Sequence, residues 1–244
     1  VSVDSNNKIM IGTVTRTVGA FNAEFPTSYA SVEGGVLTFT TTLGQKTVVP
    51  ADGPLNVSSA SGHKGINYSK VIVTGGGTLE FNYSGSGDGI YCNSLQIDEG
   101  TELSFNKASK QGTVCKSNKG TININGTLSV KNFNYGFGAW AETDAPKAIN
   151  VGENGVVNMT SVGPAFYGNA SVNFVTSLVS AGTINITGSG SAAAIAYSDG
   201  VNIQLTGDSQ TTMSFPMGMS GVKTFFMGNG SASASQPCNA SFTY

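Results

Sequence analysis

Short runs in which apolar and polar residues alternate recur along most of this chain, each bounded by Gly, Asn, Asp or Ser. Alternation with a period of two places every second side chain on one face of a strand. No segment of a dozen residues keeps apolar residues at three-and-four spacing, so the pattern predicts strands almost everywhere. From Val71 the runs fall into a cycle: a short strand, a tight turn with Gly, then a second alternating strand. The copies read VIVTGGGTLEF (71–81), LQIDEGTELSF (95–105), ININGTLSV (122–130), INVGENGVVNM (149–159), LVSAGTINIT (178–187) and IQLTGDSQTTM (203–213).

The turn glycines Gly77, Gly100, Gly126, Gly155 and Gly182 are 23, 26, 29 and 27 residues apart. A third short piece separates the copies: GIYCNS (89–94), GTVCKS (112–117), GFGAWA (136–141), GPAFYG (163–168) and AAIAYS (193–198). Self-similarity at 20 to 50 residues marks a solenoid, and three strands in some 25 residues match one coil of a β-helix. A propeller blade needs four strands and about 40 residues. The expected fold is all-β: a right-handed parallel β-helix (β-solenoid) with an N-terminal β cap. Residues 1–70 form the cap or a β-subdomain, 71–215 the coils, and 216–244 an irregular coil and tail. Each strand pairs with its counterpart one coil on. Leu79, Phe81, Leu103, Phe105, Leu128, Val130, Val157, Met159, Ile184 and Ile186 fill one inner face.

Composition narrows the function classes. Charged residues make up 11% of the 244, against about a quarter in ordinary domains, and the formal net charge is −2. That balance gives no electrostatic basis for binding nucleic acid or an anionic membrane. No apolar run approaches the roughly 18 residues of a membrane span. The chain opens on Val1, which suggests a mature or excised fragment. Asn-x-Ser/Thr sequons stand at Asn56, Asn67, Asn82, Asn125, Asn158, Asn169, Asn185, Asn229 and Asn239. Chance in a chain this rich in Asn, Ser and Thr yields roughly five. The excess leans towards a secreted or cell-surface protein.

Aligned on their leading glycines, Cys92 and Cys115 occupy the same position in adjacent coils. Stacked strands about 4.8 Å apart lie within disulfide reach, so the spacing allows either a Cys92–Cys115 disulfide or two stacked buried thiols. Cys238 is left without a counterpart. No CxxC is present and His63 is the only histidine, so no metal site and no cofactor are expected. The same alignment puts Asn93, Lys116, Trp140, Tyr167 and Tyr197 in one column beside Cys92, Cys115, Ala139, Phe166 and Ala196. If the latter look inward, the former face solvent as a stripe of aromatic and polar groups. Such a stripe suits sugar rings or a peptide surface, or serves as an external stacking ladder. The acids nearest one another, Asp98, Glu99 and Glu102, read as a solvated turn.

INVGENGVVNMTSVGPAFYG, LQIDEGTELSF and GTININGTLSV resemble the pectate-lyase-like adhesive domains of Gram-positive surface proteins. They are similar as well to the β-helical adhesin domains of yeast cell walls. The resemblance covers roughly residues 65–215 and implies a non-enzymatic surface protein that binds a glycan or host surface. It supplies no ligand-site motif. Lyases of the pectate-lyase-like superfamily use an Arg or Lys base with calcium-binding acids. This chain has one arginine, Arg16, outside the coils. The grouped aspartates, Gly-His-Gly and Arg-x-Lys of the sister hydrolases are missing, which disfavours a polysaccharide lyase or hydrolase. A structural subunit that assembles with copies of itself into a filament or surface layer is the second expectation.

Overall fold

The structure is a computed structural model that describes residues 1–12, 14–50, 65–83, 87–108, 112–137, 148–162, 166–167, 177–188, 195–197, 202–205, 210–214, 225–227 and 239–242. It is a β-solenoid, as the repeat predicts. Three parallel ladders run along its length. The first consists of Lys46–Pro50, Thr78–Tyr83, Glu102–Lys107, Thr127–Phe133, Val156–Val162, Thr183–Gly188 and Gln210–Ser214. The second passes through Val36–Thr41, Lys70–Thr74, the C-terminal halves of Ile90–Ile97 and Thr113–Ile124, then Ala148–Val151, Ser177–Ser180, Asn202–Leu205 and Asn239–Phe242. The third joins Ser2–Val3, Ile66–Asn67, the N-terminal halves of the same two long strands, Tyr135–Phe137, Phe166–Tyr167, Ile195–Tyr197 and Phe225–Met227.

Parallel pairing of near-copies explains why the sequence repeats. Each strand can bury its apolar face only over an identical pattern one coil away, and a slip of one residue turns that face to water. All ten predicted inner-face residues are buried. They stack in register as Leu79–Leu103–Leu128–Val157–Ile184 and Phe81–Phe105–Val130–Met159–Ile186. The Phe81 and Phe105 rings lie 5.4 Å apart at 15°, an in-register aromatic stack.

The ladders extend beyond the expected coil region at both ends. Val36–Thr41 pairs in parallel with Lys70–Thr74, and Lys46–Pro50 with Thr78–Tyr83, inside the segment assigned to the cap. Phe225–Met227 and Asn239–Phe242 continue the ladders beyond residue 215. The cap proper is smaller. It comprises the antiparallel strands Ser2–Val3, Ile9–Ile11 and Val14–Arg16, the helix Val18–Glu24, and Ser28–Glu33, which runs antiparallel to Val36–Thr41. Gly34 and Gly35, both at positive φ, close that last hairpin in the conformation its two-residue loop requires.

The turn glycines also differ from a simple row. Glu102 pairs with Thr78 and with Thr127, so Thr101, not Gly100, stands level with Gly77 and Gly126. A Cβ on Gly77, Gly126, Gly155 or Gly182 would lie 2.1–2.3 Å from a carbonyl oxygen of a neighbouring turn. Gly100 has room and is glycine for its φ of 73°.

Candidate functional site

Where each coil passes from the second ladder to the first, it makes a tight turn, and the turns stack. Three close with a short backbone bond: Gln45 N–H to Thr42 O, Thr101 N–H to Asp98 O, and Gly155 N–H to Gly152 O, at 2.9–3.1 Å. Bonds between turns carry the ladder through the corner, such as Asp98 N–H to Val73 O and Asn125 N–H to Ile97 O, both 2.9 Å. Backbone polarity is therefore spent along the solenoid axis, and the side chains are left to project.

They border a groove of about 560 Å³ that crosses several coils, lined by turn glycines together with Lys46, Thr78, Glu99, Glu102, Thr127 and Asn154. A second hollow of about 420 Å³ adjoins it, lined by Asp98, Glu99, Asn125, Glu153 and Asn154. Asn154 Nδ2 donates to Glu99 Oε1 at 3.0 Å, linking turns 55 residues apart. Thr78 Oγ1 donates to Glu102 Oε2 at 3.3 Å. Lys46 is ion-paired with Glu80, leaving Asp98, Glu99, Glu102 and Glu153 to set the sign of the field here. Below the groove, the outer face of the first ladder carries Ser104, Ser129, Asn158 and Asn185 in one column. Asn185 Nδ2 donates to Asn158 Oδ1 at 2.9 Å, and Asn158 Nδ2 to Ser129 Oγ at 3.4 Å. On the second ladder Asn150 Nδ2 donates to Asn123 Oδ1 at 2.8 Å. The groove and these columns present hydroxyls, amides and a few carboxylates, groups that exchange hydrogen bonds with other hydroxyls.

The aromatic stripe does not form as aligned. Asn93 is exposed, and its Nδ2 donates to Ser69 Oγ at 3.0 Å. Lys116 pairs with Tyr91, two positions from Asn93. Tyr167 pairs with Ala196, and Tyr197 with Met227, so the two tyrosines are not level. Trp140 lies outside the described residues. Leading glycines do not mark a common register because the loops before them differ in length. The strands slide until Ile90, Cys115, Phe137, Phe166, Ile195 and Phe225 stand in line.

The cysteines shift for the same reason. Cys115 stands level with Ile90, and Cys92 with Ser117. They are diagonal rather than stacked neighbours, both buried and neither in a disulfide. A diagonal offset of two residues separates Cα atoms by about 7–8 Å, beyond disulfide range. A hydrogen bond with Cys92, followed by burial, holds the Cys115 thiol well above its ordinary pKa. Cys238 lies outside the described residues.

The sequons separate by environment. Asn67 and Asn125 are exposed. Asn158 and Asn185 have their amides committed to the ladder, while Asn82 is half-buried with its Oδ1 out of contact with solvent. Asn239 falls within the last ladder strand, and Asn56, Asn169 and Asn229 lie outside the described residues. His63 does too. Arg16 is bonded to Glu24 in the N-terminal cap. Among the described residues, no three His, Cys, Asp or Glu side chains gather as a metal site.

Among the groove residues, Thr78, Thr127 and Asn154 stand beside turn glycines of the repeat copies, while Lys46 lies before the first copy and carries no such signal. No family model matches the chain, and neither a curated protein nor a solved structure matches it.

Proposed function

We propose that this is a non-enzymatic, secreted or surface-displayed β-solenoid that binds a glycan on a cell or host surface. One observation carries the reading: the turn groove and the hydroxyl-and-amide columns beside it form a continuous polar surface spanning several coils. A chain of sugar rings offers hydroxyls at a regular repeat, and a row of Thr, Ser and Asn on a 4.8 Å ladder offers matching donors and acceptors. Asp98, Glu99, Glu102 and Glu153 repel uronic acids, which points to neutral or amino sugars. The stiff backbone costs no ordering on binding, so shallow polar contacts accumulate along the polymer.

A glycan array probed with the chain and with Thr78→Arg/Thr127→Arg tests this. Binding to neutral or amino-sugar polymers that the double variant loses, with unchanged circular dichroism, is the expected result. Equal binding by both proteins removes the groove from the account, and binding confined to uronate polymers reverses the charge argument.

A further inference from the structure

The geometry points to a closed N-terminal end, with the side chain of Asn22 acting as a plug that prevents a second copy of this chain from adding to the strand Ser28–Glu33. A solenoid ladder stops at a strand whose outer N–H and C=O groups are a template for further pairing. Ser28–Glu33 is such a strand: it pairs with Val36–Thr41 on one side, and the helix Val18–Glu24 lies against it. In an antiparallel pair, alternate residues direct both backbone groups away from the partner. Ser28, Ala30 and Val32 are those residues, and the N–H of Ser28 and both groups of Ala30 are occupied. Ser28 N–H donates to Phe25 O at 3.1 Å. Ala30 N–H donates to Asn22 Oδ1 at 2.7 Å, and Asn22 Nδ2 donates to Ala30 O at 3.0 Å. One primary amide thus reproduces both bonds that an added strand would make at Ala30, the middle of the three outward residues.

The rest of the helix holds that amide in place. Thr17 caps it by accepting from Ala20 N–H at 3.1 Å. The Phe21 ring sits 4.8 Å from Phe25 and 6.0 Å from Phe39, closing the end of the apolar core. Arg16, on the short cap strand Val14–Arg16, bonds both Glu24 oxygens at the far end of the helix. The first ladder begins with Lys46–Pro50, whose Lys and Pro discourage pairing at an edge. The first ladder thus starts on a strand that resists pairing, while at the end of the second ladder the side chain of Asn22 occupies the outward groups of Ala30. Without Asn22, the Ala30 groups are buried and unpaired, so the helix lifts and two copies join through Ser28–Glu33 about a twofold axis.

Hydrogen exchange and light scattering on the full chain test this with Asn22→Ala and with Asn22→Ala/Tyr29→Lys. Tyr29 is 60% exposed on the same strand, and a lysine there opposes edge pairing. The wild type is expected to be monomeric with a protected Ala30 amide. Asn22→Ala should exchange that amide faster by about tenfold or more and form dimers or larger species as concentration rises. The double variant should keep the fast exchange and return to monomer. The proposal is overturned if Asn22→Ala leaves Ala30 protected, or if it loses protection yet stays monomeric at every concentration. Should Asn22→Ala precipitate, rescue of solubility by Tyr29→Lys supports edge pairing, and failure of that rescue overturns it.

Discussion

Asn185 donates its side-chain amide to Oδ1 of Asn158 one coil earlier, at 2.9 Å, and the backbones of the two residues are level in the first ladder. An amide carries a donor and an acceptor on one carbon, so a column of asparagines can link coil to coil. A slip of register would break each link, which makes the column a register device on the solvent face. Asn158→Ala removes a donor and an acceptor from a half-buried position. It should lower stability by about 1 kcal/mol in urea unfolding, while Asn158→Asp, which cannot donate, loses a similar amount.

The same column sorts the sequons. If the chain is expressed through a glycosylating secretory pathway, mass mapping should find glycan at Asn67 and Asn125 and little at Asn158 or Asn185. Occupancy concentrated at Asn158 and Asn185 would contradict the bonded ladder.

Cys92 and Cys115 are expected to react with thiol reagents, not to appear as a disulfide. Alkylation should be slow in the folded chain and rapid after unfolding, with no change on prior reduction. The pH dependence follows from the raised pKa of Cys115. The folded state holds this proton more tightly than the unfolded state. Its stabilising effect is therefore complete below the unfolded thiol value and declines as pH rises towards the folded one. The unfolding free energy from denaturant titrations should fall above about pH 8.5–9, by at most about 1.4 kcal/mol per pH unit from this group. Cys115→Ala should flatten that decline.

Asn132 and Ser161 occupy corresponding places in adjacent coils, at φ 64° and 55°, where the backbone turns Phe133 and Val162 inward. A left-handed backbone costs an L-residue roughly 1–2 kcal/mol and costs glycine little. Ser161→Gly should therefore stabilise the chain by about 0.5–1 kcal/mol, and Ser161→Val should destabilise it. Thermal melts of the two variants check the sign.

Phe105 stacks on Phe81 and is buried. Phe105→Ala should cost about 3–5 kcal/mol and Phe105→Leu much less, read from urea midpoints. The buried Lys107 predicts the opposite of an ordinary surface lysine. Its Nζ donates to Gly87 O at 2.8 Å and lies 4.9 Å from the Phe133 ring centroid. Lys107→Ala should destabilise by at least about 1 kcal/mol, because it leaves both a cavity and an unpaired carbonyl.

Local pattern was enough to identify the solenoid and the inner face, since Leu79, Phe81 and their successors alternate with polar residues in every copy and a parallel stack is the arrangement that buries them all. The chemistry of individual turns was legible too: Gly126 and Gly155 mark where neighbouring backbones crowd. Register was not. Equal spacing from a glycine put Cys92 level with Cys115, but loops of unequal length absorb the difference. The pairing that maximises buried contact set Ile90 against Cys115 instead. The helix Val18–Glu24 was invisible for a related reason: seven residues carry too short a period to show amphipathicity, and Phe21 and Phe25 are apolar because the end of the core needs a lid. Sequence determined which side chains face inward, because that depends on neighbours two residues away. Tertiary structure alone decided which residues meet across coils, because that depends on loop lengths and packing that no single strand records.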